Sequence, residues 1–373
     1  METHKTEGPI YASPTVDGDA VYFPSTRGGY PVGWGPTVTN GTFYKLDANS
    51  GSIIWRREIP YVLNRTSGSG NFLLATATVA EGKVFVRNGF YFNYALNATN
   101  GETIWTSTAR FNEGTPTQWG GVIQINAPLY RHGYIYMNDY YGIVCLNATT
   151  GKEQWFTFLS RENLSPALAF SYGRVYTVNE VGNVFVLDWL TGEKLAYYEI
   201  GAYQIHSSPS LYNGSLYVGC HDYSVYCLTD FPKPEVVTTE MSLTLSANRV
   251  EKGDKIYIEG GVHPVNYRVP ITLTLDRPDT LYVDIPVMTD ENGNFQVIQT
   301  FDVVGDWKIV AWWNGDDLHT AASSQTLSLS VIEPAVAPPP EYPQPMDYTI
   351  HFVGVAAVLL IAIVLVGVWI KKK

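Results

Sequence analysis

One ten-residue pattern recurs in register along the first half of the chain and restricts the folds open to it. LDANSGSIIW ends at Trp55, LNATNGETIW at Trp105 and LNATTGKEQW at Trp155, 50 residues apart each time; LDWLTGEKLA follows and ends 41 residues later at Ala196. Upstream of these stand DGDAVYF, EGKVFV, HGYIYM, YGRVYTV and NGSLYV. In each, an apolar, aromatic-rich run follows a Gly or Asx turn, which is a strand–turn–strand signal. Each unit therefore offers about four short strands, and a unit of 40–50 residues with four strands is the blade of a β-propeller. Such a unit cannot bury both faces alone, so blades stack on one another around an axis.

Every residue of the pattern has a physical task. Asp47, Asn97, Asn147 and Asp188 can accept hydrogen bonds from the turn that follows them. Gly51, Gly101, Gly151 and Gly192 permit a left-handed backbone. Trp55, Trp105 and Trp155 bring a large apolar ring between adjacent sheets. The pattern resembles the docking motif A-x-D-x-x-T-G-x-x-x-W of the PQQ-like repeat of quinoproteins, also known as the outer-membrane-assembly-lipoprotein-like repeat. Ala95, Asn97, Asn100, Gly101 and Trp105 follow it with Asn for Asp and for Thr, and Cys145, Asn147, Thr150, Gly151 and Trp155 follow it with a thiol for Ala. Lys45, Asp47, Ser50, Gly51 and Trp55 depart further. Val186, Asp188, Thr191 and Gly192 lack the Trp, and of a fifth unit Cys227 and its strand remain. The resemblance covers about 12–228 and implies an all-β propeller. Propellers of that family usually have more than five blades, so the expectation is a chain truncated at its N-terminus. The opening METHKTEGPIYASP, which has no apolar signal-peptide core, points the same way.

The reading divides the chain into a propeller at 1–228, a linker at 229–240, a β-sandwich at 241–333, a Pro-rich stalk at 334–349, a transmembrane helix at 350–370 and a basic tail at 371–373. Six or seven alternating runs between 241 and 333, separated by Asn-Gly and similar turns, suit a sandwich. The stretch GDWKIVAWWNGDDLHTAASS resembles the late strands of immunoglobulin-like domains from bacterial and archaeal surface proteins, which implies an archaeal or bacterial surface protein. Residues 350–370 are apolar apart from His351, and Lys371, Lys372 and Lys373 follow. A helix of that length reaches ~31 Å, about one hydrocarbon core. The lysines would stay in the cytoplasm, with everything before the helix outside the cell membrane.

The net charge is −11, and an acidic chain repels phosphate backbones, so nucleic acid is not an expected partner. Quinoprotein dehydrogenases set a pair of adjacent cysteines over their quinone. Cys145, Cys220 and Cys227 are not adjacent, and no acidic residue stands out as a base, so no catalytic residue and no cofactor is expected. Cys145 and Cys227 share the small buried repeat position, and a two-residue turn at Asp222-Tyr223 would set Cys220 opposite Val225, leaving three free thiols. His206, His221 and Asp222 read as turn residues and Asp290, Asn292 and Asn294 as a hairpin turn, so no metal site is expected. Sequons at Asn40, Asn64, Asn97, Asn147, Asn163 and Asn213 are candidate glycosylation sites. Two long insertions carry Tyr30, Trp34, Phe111 and Trp119, candidate anchors for a protein or glycan. The expectation is a non-enzymatic, membrane-anchored surface protein for binding or scaffolding; the alternatives are a quinone-dependent dehydrogenase, or an assembly factor that binds β-rich clients.

Overall fold

The computed structural model describes residues 5–26, 41–59, 75–88, 92–108, 126–139, 141–160, 164, 167–200, 205, 207–229, 234–334 and 349–371. Four sheets of four antiparallel strands follow one another. The first holds β1 (Thr15–Asp17), β2 (Ala20–Thr26), β3 (Gly41–Asp47) and β4 (Ile53–Ile59), and the second β5 (Thr78–Ala80), β6 (Lys83–Asn88), β7 (Phe92–Asn97) and β8 (Thr103–Thr108). The third holds β9 (Leu129–Arg131), β10 (Tyr134–Asp139), β11 (Gly142–Asn147) and β12 (Glu153–Phe158), and the fourth β13 (Ala169–Ser171), β14 (Arg174–Val178), β15 (Asn183–Asp188) and β16 (Lys194–Glu199). A fifth sheet has three strands, β17 (Ser210–Tyr212), β18 (Ser215–Gly219) and β19 (Val225–Leu228). These are five blades of a propeller, as the repeat pattern requires.

In the second to fifth blades the first two strands meet in a tight turn with both central residues left-handed: Glu81-Gly82, His132-Gly133, Tyr172-Gly173 and Asn213-Gly214. That turn matches the twist of the strands it joins. Between the third and fourth strands a bulge sits at the same place in each four-stranded blade, between Lys45/Leu46, Ala95/Leu96, Cys145/Leu146 and Val186/Leu187. It follows directly on the residue that pairs with the Trp, as in Ala95↔Trp105. A bulge adds local twist and re-aims side chains.

Apolar clusters lie between blades. Tyr22, Phe43 and Trp55 of the first pack with Val84, Val86 and Leu96 of the second. Phe85, Ala95 and Trp105 of the second pack with Ile135, Met137 and Leu146 of the third. Tyr176, Val178, Val184 and Val186 of the fourth pack with Leu216 and Val218 of the fifth. Each blade thus turns one face forward, toward its successor, and receives its predecessor on the other.

After residue 234 two further sheets face each other. One orders β20 (Glu240–Leu245), β22 (Lys255–His263) and β25 (Asn294–Thr300). The other orders β21 (Arg249–Glu251), β28 (Leu327–Ile332), β26 (Gly305–Trp313), β23 (Pro270–Asp276) and β24 (Tyr282–Met288), with β27 (Ala322–Ser323) beside β26. Ile256, Ile258 and Val262 meet Leu273, Ile309, Leu329 and Trp307 between them. The same core continues into Tyr136, Val175 and Trp189 of the propeller, so the two parts share one apolar interior.

Two expectations need correction. The backbone of α1 (Thr349–Lys371) is helical. Among the described residues no helix is long and apolar enough to cross a membrane. This overturns the single-pass membrane anchor, the placement of the body outside a cell, and the cytoplasmic lysine tail. The second correction concerns β18 and β19, which join through a three-residue loop that sets Gly219, not Cys220, opposite Val225. Cys220 N–H donates to Ser224 O at 2.9 Å, and Tyr223 takes the left-handed conformation (φ 68). All three cysteines are free, but Cys227 is exposed whereas Cys145 is buried, because among the described residues no further blade lies over the fifth.

Burial between blades predicts unequal mutant costs. Trp105→Ala should destabilise the protein by about 3–5 kcal/mol through lost burial and a cavity. Tyr212→Ala, at an exposed position of β17, should stay within about 0.5 kcal/mol. Denaturant unfolding of the two variants measures both.

Candidate binding surfaces

The docking turns are built alike. Asp47 Oδ1 accepts from Asn49 N–H (3.1 Å), Ser50 N–H (2.7 Å) and Ser50 Oγ (2.8 Å). Asp188 Oδ1 accepts from Leu190 N–H, Thr191 N–H and Thr191 Oγ1 at 2.8–2.9 Å. Asn147 does the same with Thr149 and Thr150, and Asn97 with Thr99 alone, since Asn100 stands where the pattern has Thr. The Ser50 N–H and hydroxyl hold the Asp47 carboxyl below its ordinary pKa.

Each Trp docks forward onto the turn of the next blade. Trp55 Nε1–H donates to Ala98 O (3.1 Å), Trp105 to Ala148 O (3.0 Å) and Trp155 to Trp189 O (3.1 Å). The glycine of the receiving turn lies beneath the ring. A Cβ would come within 2.8 Å of Trp55 at Gly101, and within 2.6 Å of Trp105 at Gly151 and of Trp155 at Gly192. Glycine is therefore needed there both for its positive φ and for the close approach. The two defects in the repeat answer each other, because Ala196 replaces the Trp just where, among the described residues, the fifth blade has no turn to receive one.

The forward face of the fifth blade is open. Tyr22, Phe85, Tyr136 and Tyr176 occupy one repeat position and are 2, 1, 0 and 1% exposed, whereas Tyr217 at that position is 37% exposed. Phe43, Ile143 and Val184 are fully buried, whereas their counterpart Val225 is 74% exposed. The sheet also ends early. Among the described residues β19 pairs with β18 alone, while β3, β7, β11 and β15 each have two partners. The narrow pair formed by Cys220 and Ser224 fixes the alternation of the ladder, so Val225 and Cys227 turn their N–H and C=O groups to the open edge.

The C-terminal sheets sit on the propeller face that carries the tight turns. His132, at the tip of one turn, lies 4.7 Å from the Tyr267 ring, and Tyr267 meets Trp189 edge-on at 4.6 Å. The Tyr267 hydroxyl donates to Asp316 and lies 2.8 Å from His319 Nδ1. Burial first, and then Asp316, raise its pKa far above the usual phenol value. Arg268 pairs with Glu81 at 2.8 Å, and Asn147 Nδ2 donates to Glu291 Oε1 at 2.7 Å. Beside these contacts lies an open, polar cleft of about 1020 Å3 bordered by Asn147, Thr150, Glu259, Arg268 and Asp290.

A second polar group, which sequence reasoning missed, lies at the opposite strand ends. Buried Arg87 donates to Asn138 O and lies 3.7 Å from Asp139, and burial lowers its pKa against the pull of Asp139. Ser25 Oγ and Asn93 Oδ1 are buried there and have no hydrogen-bond partner among the described residues. The signal was present in KVFVRN, where a charged residue interrupts an apolar run.

Tyr30, Trp34, Phe111, Trp119, His206, Asn40, Asn64 and Asn163 lie outside the described residues. Asn213 is exposed at its turn, Asn97 is half-buried, and Asn147 is buried with its amide nitrogen engaged by Glu291. Asp222 accepts from Ser224 N–H and Tyr226 OH, and the Tyr226 bond lowers its pKa. Asp290 Oδ1 closes a hairpin turn on the N–H groups of Asn292 and Asn294. No group of three or more metal-ligating side chains occurs among the described residues.

The His132 junction predicts a pH dependence. Burial lowers the His132 pKa, with Asp316 opposing and Arg131 reinforcing the shift. The folded ring thus stays neutral where the unfolded one takes a proton, so stability should fall as pH drops through about 6.5. His132→Asn, which suits the left-handed turn, should flatten that dependence in unfolding measured from pH 7.5 to 5.

A sequence family described as "Outer membrane protein assembly factor BamB" matches residues 3–230. Among solved structures, the chain is similar to BamB from Moraxella catarrhalis, at 13% identity over 79% of this chain and 87% of that one, TM-score 0.46. It is also similar to the quinohemoprotein alcohol dehydrogenase of Comamonas testosteroni, at 12% identity over 87% of this chain and 62% of that one, TM-score 0.45. No curated protein matches it.

Proposed function

The chain belongs to the family of the outer membrane protein assembly factor BamB, and we propose that it is a non-enzymatic scaffold that binds client proteins by taking a client β-strand along the open edge of β19. The observation that carries this reading is the fifth blade itself, whose outward backbone groups at Val225 and Cys227 have no partner among the described residues and stand beside an exposed Tyr217. Added strands gain main-chain hydrogen bonds from such an edge and side-chain contacts from the adjoining face. An exposed edge is otherwise a liability for aggregation. The family's description as an assembly factor supports a protein as the partner. The chain has no adjacent cysteine pair of the kind that quinoprotein dehydrogenases set over their quinone, which supports the non-enzymatic part.

The same proposal keeps the division into a propeller at 1–228, a linker at 229–240 and an immunoglobulin-like sandwich at 241–333. It is supported by the end of β19 at Leu228 and the start of β20 at Glu240.

Val225→Pro removes one outward N–H and leaves the bonds to β18 in place. The wild-type chain should suppress the light scattering of a heat-unfolded β-rich protein, and Val225→Pro should lose most of that effect while its own Tm changes by less than about 2 °C. Equal suppression by the variant, or none by the wild type, contradicts the reading.

A further inference from the structure

The polar cleft beside the propeller–sandwich junction continues onto an open sheet face. Successive side chains of a strand point to opposite faces. Tyr257 and Glu259 of β22 therefore stand on the side of their sheet away from the core residues Ile256 and Ile258. The ladder sets Ile298 of β25 beside Tyr257, Gln296 beside Glu259 and Asn294 beside Gly261. Tyr257 is 47% exposed and Ile298 56%. This row begins with a ring and an aliphatic side chain and passes, within about 7 Å, to a carboxylate and two amides. Glu259, Gln296 and Asn294 also border the cleft of about 1020 Å3. Its other walls are the docking turn at 147–150 and the hairpin at Asp290. The four charged side chains on the cleft are each held at one edge by the protein. Gln296 Nε2 donates to Glu259 Oε1, Asn147 Nδ2 to Glu291 Oε1, and the N–H groups of Asn292 and Asn294 to Asp290 Oδ1. Arg268 gives its Nε to Thr289 O and its Nη1 to Glu81 and Thr149. Among the described residues the second oxygen of each carboxylate and Arg268 Nη2 have no partner.

We propose that this cleft binds a neutral oligosaccharide, with one sugar ring against Tyr257 and hydroxyls of the following rings on Glu259, Asp290 and Arg268. A hydroxyl donates and accepts at once, so one ligand group can serve a carboxylate oxygen and a guanidinium N–H side by side. An anion would meet three carboxylates and one arginine that Glu81 already pairs. A cation would be opposed by the free edge of Arg268. An apolar ligand would strip water from the polar groups and replace none of it. A sugar has an apolar ring face and a polar rim, the same succession that the row presents from Tyr257 to Asn294. The bonds from Asn147 to Glu291 and from Arg268 to Thr149 tie the walls together before a ligand arrives, so little ordering opposes binding. No residue of β19 takes part, and the cleft stands or falls independently of the edge-binding reading.

The test uses the full chain, labelled with 15N, titrated in turn with cellopentaose, maltopentaose and chitopentaose. At least one of them should shift the amide resonances of Tyr257, Glu259, Asn292 and Gln296 saturably. Its Kd should stay within about twofold between about 0.05 and about 0.5 M NaCl, because salt screens charges and the ligand has none. Tyr257→Ala and Glu259→Gln, both at exposed positions, should each weaken that sugar at least about tenfold and leave the rest of the spectrum unchanged, as the loss of an anchoring contact requires. Three results would overturn the proposal: no saturable shift with any of the three sugars, shifts confined to other residues, or an unchanged Kd in both variants. Pentalysine that shifts the same amides, with an affinity that falls as salt rises, would also overturn it if the sugars do not bind, since the cleft would then be a cation site.

Discussion

The bond from an indole N–H to a carbonyl of the next blade is the interaction on which the propeller depends. The ring alone could slide on an apolar face, because hydrophobic contact is not directional. The hydrogen bonds of Trp55 to Ala98, Trp105 to Ala148 and Trp155 to Trp189 give each contact a register. Glycine beneath the ring admits the close approach, and the Asx side chain holds the carbonyl in place. Each blade is thereby oriented by its predecessor, and the orientation runs one way along the chain.

That direction explains the two ends. A blade without a successor shows its forward face, as the fifth does at Tyr217 and Val225. A docking turn with no indole on it among the described residues is exposed, as that of the first blade is at Ala48. The fifth blade is held by the apolar cluster around Val178, Val184, Leu216 and Val218 instead of by an indole. The C-terminal sheets then secure the middle of the arc through Trp189 and Tyr267, which are buried in a shared interior, with half-buried His132 packed against the Tyr267 ring.

Much of this was legible in the sequence because it rests on local chemistry. An Asx, a Gly three or four residues on and a Trp at a fixed distance need no tertiary information, and the tight turns before β6, β10, β14 and β18 announce themselves by Gly. What stayed hidden depends on neighbours distant in sequence. Nothing in residues 95–105 says whether Trp105 docks forward or back. The union of Glu81 with Arg268 spans 187 residues, so no local pattern could reveal it. The register at Cys220 went wrong by one residue because Tyr223 adopts a left-handed conformation that Asn or Gly would have signalled. Analogy with Cys145 puts Cys227 at a buried position, but burial there comes from the following blade and not from the residue. Hydropathy alone makes the apolar run at 350–370 a span, whereas among the described residues no helix is long and apolar enough to cross a membrane.

The central claim is the forward docking of the three tryptophans, and nuclear Overhauser contacts of their indoles test it most directly. Trp55 should show contacts to the Gly101 α-protons, Trp105 to those of Gly151 and Trp155 to those of Gly192, with the Nε1 protons slow to exchange. Contacts from any of these rings to the glycine of its own unit or of the preceding one, at Gly51 for Trp55 or Trp105 for example, would contradict the account.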